Sequence, residues 1–333
     1  MQFAKENNLI APIRETDSAR RCVLALSDGR AGNVAMAEGL AQAIAREAGW
    51  RVDAATVDPS PLLVRVPPRL WSMLPASLAL RQADVPQADI VVGAGRRVAP
   101  LVAALERTGA ARGVQVLDSG IAPSRFAAVV APEHDRLVGP NVLTTLGSVN
   151  RITPALLEGA REAWRGVFAP LAAPRIMVLI GGATKRKPLD PDRFARFIDD
   201  LGALAGATGG TLVITASRRT GEENIVRLRA ALPGAWVWDG TGENPYAGML
   251  AWADALIVTD DSVNMASEAA STPAPVALYP LLGEEGKLAR FHRALIEKGA
   301  AVPFDGSLPT RAGAPLDETA RVARALVARL AIP

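Results

Sequence analysis

Two open parallel sheets, each layered between helices, are what this sequence predicts, and three observations carry the prediction. Short apolar runs alternate with longer amphipathic segments, the pattern of strands joined by crossover helices. The series starts afresh after Pro174, again opening with a strand and then glycine. The length of 333 residues also exceeds what one core usually supports.

In the first half, the apolar runs Cys22–Leu26, Val52–Val57, Ile90–Val92, Val114–Leu117 and Phe126–Val130 are expected as strands. Apolar residues at helical spacing predict helices over about Val34–Ala48 and Val98–Arg107. The second half repeats the alternation, with strands at Arg175–Ile180, Thr211–Thr215, Ala235–Trp238, Leu256–Val258 and Val276–Leu278. Helices are expected between them at Pro191–Leu204, Glu222–Leu232, Tyr246–Trp252, Ser262–Ala270 and Lys287–Lys298, with a last one over Asp317–Leu330. Prolines and small residues in "WRGVFAPLAAP", Trp164–Pro174, mark the expected joint. The expected units are therefore residues 1–165, residues 166–313, and a closing helix in 314–333 that packs back on the first.

Composition narrows the function. With 49% hydrophobic and 21% charged residues the chain is globular, neither disordered nor fibrous. A net charge of +3, from 37 basic and 34 acidic residues, gives no reason to expect a nucleic-acid partner. The lone Cys22 sits in an apolar run and reads as a buried strand thiol in a reducing compartment. The first twenty residues are polar, so no secretory signal is expected, and no apolar run approaches the roughly 18 residues of a spanning helix. The expectation is a cytoplasmic protein. Pro61–Arg81, "PLLVRVPPRLWSMLPASLALR", fringes apolar side chains with arginine, which suits either docking at the inner face of an anionic membrane or ordinary core packing.

In open α/β sheets ligands lie beyond the carboxyl ends of the strands, so the loops there are the candidates. After the first strand, "LSDGRAGN" offers Asp28 as a base and Gly29, Arg30, Gly32 and Asn33 as a tight turn facing a phosphate or sugar; it also reads as a cap with turn glycines. It is not the G-x-G-x-x-G of dehydrogenases. "VLIGGATKRK" places Gly181, Gly182 and Thr184 before a basic run, suiting an anion or simply a solvated loop. "TASRRTGEEN" adds Ser217, Arg218 and Arg219, whose guanidinium groups can meet phosphate oxygens. Asn244 and Tyr246 stand in an apolar loop fit for a nucleobase, although the neighbouring Trp236 and Trp238 also read as core.

"VTDDSVNMASEAASTPAPVALYP", from Val258 to Pro280, is the most informative stretch. One of Asp260, Asp261 and Ser262 must cap the helix that follows, and Asn264 with the free N–H groups beside it can hold a diphosphate. Glu268 lies among alanines, where a carboxylate is costly to bury without a partner, and a ribose diol would supply one. It is expected to face that ligand and to need no protein partner. His134, in "APEHDRLVGPN", is a second candidate base; the same histidine reads as a structural loop residue. No residues stand at metal-ligand spacing, so no metal is expected.

The combination "SDGRAGN", "PEHD", "GG", "SRRT", "NPY" and "TDDSVNMASEA" resembles the mitochondrial fission ELM-type family, whose bacterial members are labelled predicted nucleoside-diphosphate-sugar epimerases. The resemblance runs from about Leu24 to Phe291. That family is in turn similar to GT-B glycosyltransferases, built of two Rossmann-like domains facing a cleft, and above all to the peptidoglycan lipid-intermediate transferase. There a Glu early in a helix holds the ribose of a uridine nucleotide; Glu268, Pro275 and Pro280 match that arrangement. Pro273 departs from it, standing where a glycine would be expected.

The resemblance implies an acceptor-binding first domain and a nucleotide-sugar-binding second domain. It implies a UDP-sugar donor used as substrate with no other cofactor, and a lipid-linked or envelope acceptor. The alternatives it leaves are a nucleotide-sugar 2-epimerase and a non-catalytic membrane-associated scaffold.

Overall fold

The computed structural model describes residues 21–57, 67, 70, 85–183, 187–283, 286–310 and 313–332. The expected strands and helices are there. β1 (Cys22–Ser27), β2 (Arg51–Thr56), β3 (Ile90–Ala94), β4 (Arg112–Val116), β5 (Ala128–Pro132) and β6 (Val142–Thr145) form one six-stranded sheet in the order β2-β1-β3-β4-β5-β6. β7 (Arg175–Ile180), β8 (Thr211–Ala216), β9 (Trp236–Val237), β10 (Ala255–Thr259), β11 (Val276–Tyr279) and β12 (Val302–Pro303) form the other, in the order β12-β11-β10-β7-β8-β9. Every pairing is parallel. Parallel sheets are covered on both faces, which is why the inner strands read as unbroken apolar runs.

Alternate residues of each strand feed opposite cores. Val23 and Ala25 of β1 pack under α1 (Ala31–Ala48), while Leu24 and Leu26 pack under α2 (Ala99–Thr108). In the second sheet, Ile176, Val178 and Ile180 meet Phe194 and Phe197 of α5 (Pro191–Thr208). Met177 and Leu179 face the other way, towards α7 (Tyr246–Trp252) and α8 (Val263–Ala270). The order of helices is completed by α3 (Pro154–Ala163), α4 (Arg165–Phe168), α6 (Glu222–Ala231), α9 (Lys287–Glu297) and α10 (Glu318–Arg329).

The crossing between the two units lies earlier than the expected joint. The first sheet ends at Thr145, and α3 already packs on the second unit: Arg161 donates to the Ala251 carbonyl at 2.8 Å and Trp252 Nε1 donates to the Arg161 carbonyl at 2.8 Å. The small and proline residues of Trp164–Pro174 serve close packing instead. Trp164 stacks on buried Phe168, and a Cβ on Gly248 would lie 2.3 Å from the Trp164 ring. The segment that crosses, Leu146–Thr153, runs between α1 and α8. At the end of the chain, Val322, Ala323 and Leu326 of α10 join the α1 core of the first sheet. Pro61–Arg81 lies outside the described residues apart from Pro67 and Leu70.

Candidate functional site

The turn after β10 is a structural lock. Asp261 has a side chain 0% exposed, and its carboxylate accepts from Thr259 Oγ1 at 2.7 Å and from Gly182 N at 2.9 Å, and pairs with Arg219 at 2.7 Å. Gly181 N donates to Thr259 Oγ1 at 2.8 Å. Ser217 Oγ donates to the Gly181 carbonyl at 2.7 Å and Arg219 Nη1 to the Gly182 carbonyl at 3.2 Å. The two glycines are spacers: a Cβ on Gly181 would stand 1.9 Å from the Asp261 carboxylate, and one on Gly182 would stand 2.3 Å from the Arg219 backbone. The N–H groups expected to face phosphate are therefore already taken, and so are Ser217 and Asp261. Arg218 remains exposed to solvent. Thr184 lies outside the described residues.

Ser262 is the cap of α8, accepting from Met265 N at 3.3 Å. Asn264, two residues on, reaches the first domain: its Oδ1 accepts from Ser148 Oγ at 2.7 Å, and a Cβ on Gly32 would lie 2.3 Å from its Nδ2. The first turns of α1 and α8, each with unpaired N–H groups, thus meet across the seam.

Asp28 sits in the same turn, its side chain 2% exposed, accepting from Asn33 Nδ2 at 2.8 Å with Arg30 Nε at 3.5 Å and Arg97 Nε at 4.0 Å. Gly29 adopts φ 75°, and Asn33 in turn lies against Gly95. Asp28, Gly29, Arg30, Gly32, Asn33 and Asn264 are brought together.

Glu268 is 9% exposed and does have a protein partner, contrary to expectation. Tyr246 Oη donates to its Oε2 at 2.7 Å, and the Tyr246 N–H donates to Asn244 Oδ1 at 3.0 Å, which fixes the start of α7. Among the described residues Oε1 has no bond. Burial pushes the Glu268 carboxyl above its usual range, against the opposing effects of the Tyr246 hydrogen bond and the Arg151 charge. The phenol of Tyr246 is pushed up by burial and by the neighbouring carboxylate. Trp236 packs edge-on against Phe168, so that tryptophan belongs to the core.

His134 is not an open cleft residue. Its side chain is 4% exposed, its ring packs 5.3 Å from Phe291 of α9, and Arg290 Nη2 donates to its carbonyl at 3.2 Å. Lys287 pairs with the adjacent Asp135. The "PEHD" turn is where α9 clamps the second domain to the first. Burial lowers the His134 pKa to about 4, helped by Lys287, Arg290 and His292 and opposed by Asp135.

A neutral buried histidine makes stability pH-dependent. The unfolded chain takes up the proton near pH 6.5 and the folded one only near pH 4, so the stabilisation is present above 6.5 and is lost as pH falls through that window. His292, also lowered by burial, acts in the same sense, whereas Glu268 and Glu38, raised by burial, act in the opposite one. Unfolding in denaturant at pH 7 and pH 5 is expected to show a loss of about 2 kcal/mol, largely abolished in His134→Phe.

The seam itself escaped sequence reading. Ser148 N donates to Ser267 Oγ at 2.9 Å and Asn150 Nδ2 to Ser271 Oγ at 3.2 Å, from a stretch to which the sequence assigned no role. The available signal was a run of small and amide residues, "GSVN", opposite serines spaced along α8.

Two parallel-sheet domains meeting through helix starts at their carboxyl edges define a GT-B-type protein. Within that class the chain belongs to the mitochondrial fission ELM1 family, whose sequence model matches residues 31–330. It is 30% identical over 280 residues to Mitochondrial fission protein ELM1 of Arabidopsis thaliana, covering 72% of this chain and 64% of the plant protein's length. Its fold is similar to that of a putative UDP-N-acetylglucosamine 2-epimerase from Listeria monocytogenes, with a TM-score of 0.58 at 12% identity over 93% of this chain and 88% of that one. It is similar also to the spinosyn forosaminyltransferase SpnP, with a TM-score of 0.50 at 17% identity over 93% and 90%. Among the described residues no helix is long and apolar enough to cross a membrane, and no three His, Cys, Asp or Glu side chains group as a metal site.

Proposed function

We propose that the chain is a glycosyltransferase that takes its sugar from a nucleoside diphosphate, a UDP-sugar, and passes it to a hydroxyl of a lipid-linked or envelope acceptor, with no metal or further cofactor. The observation that carries the reading is Glu268, a buried carboxylate with Oε2 held by Tyr246 and Oε1 left for a ligand, one to two turns into the helix that meets the other domain. A ribose diol donates to such an oxygen, and charge-assisted bonds of this kind are the strong ones. The diphosphate would lie at the first turn of α8 beside Arg218, since the Gly181–Gly182 pair is occupied. In the step, the acceptor oxygen bonds to the anomeric carbon as its bond to the diphosphate breaks. Asp28 takes the acceptor proton, oriented by Asn33 and the two arginines, and the helix dipole and Arg218 meet the charge on the leaving group. His134, enclosed by α9, is a docking residue in this scheme.

The likeness to a 2-epimerase favours a second reading, in which the same nucleotide sugar is inverted at C2 with no acceptor. Incubating the donor alone separates the two: an epimer supports inversion, whereas an unchanged donor consumed only with added acceptor supports transfer. A non-catalytic scaffold at the membrane, which the family name suggests, requires vesicle binding with no nucleotide affinity.

The donor site is tested by calorimetry with UDP and UDP-N-acetylglucosamine. Glu268→Gln replaces a charge-assisted bond, contributing ~1.5–3 kcal/mol, by a neutral one. Affinity is expected to fall by roughly ten- to a hundredfold. Gln still offers Tyr246 an acceptor and removes a buried charge, so the melting temperature should change little. Unchanged nucleotide affinity with a large loss of stability would make Glu268 structural.

A further inference from the structure

A pocket opens at the carboxyl edge of the second sheet, on the face opposite α8. It has a volume of ≈ 390 Å³ and is lined by Arg193, Arg196, Tyr279, Pro280 and Gly283. Arg193 and Arg196 are three apart on α5 and so project from one side of the helix. Gly283 has φ 61°, and a Cβ there would lie 2.4 Å from Arg193 Nη1, so glycine lets the guanidinium lie across the loop. Two described acids nearby have hydrogen bonds of their own, and the Asp190 carboxyl is held below its usual range by the Arg193 N–H bond, with help from the Arg193 and Arg196 charges. The Asp190 carboxylate accepts from Asp192 N at 2.9 Å and Arg193 N at 3.0 Å as the cap of α5, and Asp200 accepts from the Tyr279 hydroxyl at 2.7 Å.

Neither guanidinium has an ion pair or hydrogen bond with the described residues. Lys187 Nζ donates to the Gly283 carbonyl at 2.6 Å and adds positive charge at the rim. The floor is rigid: the Tyr279 ring lies 4.5 Å from that of Phe197 and 5.2 Å from that of Phe304.

We propose that this pocket binds a phosphate or diphosphate group, as an anion site separate from the one at Glu268. Two forked donors converging on one cavity match a group with three or more oxygens, each guanidinium taking two. The inference does not rest on the Glu268 reading, because α5 and α8 cover opposite faces of the sheet. The phosphate could be carried by a soluble ligand or by a lipid headgroup.

Calorimetry of the full chain with inorganic pyrophosphate tests the first source, and co-sedimentation with phosphatidylcholine vesicles, with and without phosphatidylglycerol, tests the second. The variants are Arg193→Gln/Arg196→Gln, at exposed helix positions, and Gly283→Ala, whose Cβ would stand 2.4 Å from Arg193 Nη1 and so displace that guanidinium while both charges are kept. Pyrophosphate affinity is expected to fall at least tenfold in both. Loss of phosphatidylglycerol-dependent vesicle binding in both, without any effect on pyrophosphate, would support the site with a lipid as the source. Binding of neither probe, or pyrophosphate and phosphatidylglycerol binding that are both left intact by both variants, overturns the proposal. UDP affinity, which Glu268→Gln reports on, is expected to be unchanged in the double variant; its loss there would merge the two sites and overturn a separate one.

Discussion

Asp261→Ala is expected to lower the unfolding free energy by ~2–5 kcal/mol, because two buried donors lose their acceptor, whereas the Arg219 side chain is 42% exposed and can turn to solvent. The carboxylate is fully enclosed and serves three donors from three strand ends: Thr259 at the end of β10, Gly182 after β7 and Arg219 after β8. Alanine leaves the buried Gly182 N–H and the Thr259 hydroxyl without their acceptor, and each such loss costs about 1–3 kcal/mol. Asp261→Asn keeps the shape and one acceptor oxygen but turns an amide NH2 towards donors, so an intermediate loss is expected. Urea unfolding measures both. A stable Asp261→Ala protein with weakened UDP binding would return Asp261 to the ligand site.

Gly39→Ala is expected to destabilise the protein by ~1–3 kcal/mol although it improves the helix. Alanine in a helix interior is favoured over glycine by about 1 kcal/mol. Here the new Cβ would lie 2.4 Å from the Asn150 carbonyl and 2.7 Å from Arg151 N, backbone atoms that cannot swing aside. The crossing segment or α1 must move, and overpacking of this kind costs about 1–3 kcal/mol or more. Any shift strains the Ser148–Ser267 and Ser148–Asn264 bonds that close the seam. Gly206→Ala is the internal control, since that helix glycine has nothing within 4 Å of a Cβ and should be stabilised by up to ~1 kcal/mol. Thermal unfolding of the pair gives the contrast; equal stabilisation of both would show that the seam is loosely packed.

The fold was largely legible. β1, β7, β10 and β11 read correctly because strands buried on both faces have no room for polar residues. Short edge elements escaped: β12 has two residues, and β6 is only partly buried. The joint was misplaced because tryptophan, glycine and proline mark close packing as readily as they mark a linker. At the site, the importance of the Asp260–Glu268 turn was legible from chemistry alone, since acids and small residues after a strand are costly unless something uses them.

What uses them was not. The succession of strands and helices, the parallel layering and the loops at the carboxyl edges follow from the local period of apolar residues and from turn glycines. The partners come from packing in three dimensions: Asp261 closes on Gly182, 79 residues away, Glu268 meets Tyr246 across 22, and Asn264 reaches Gly32 of the other domain. A carboxylate carries no local mark of which donor it will meet; strand order and helix packing choose the donor.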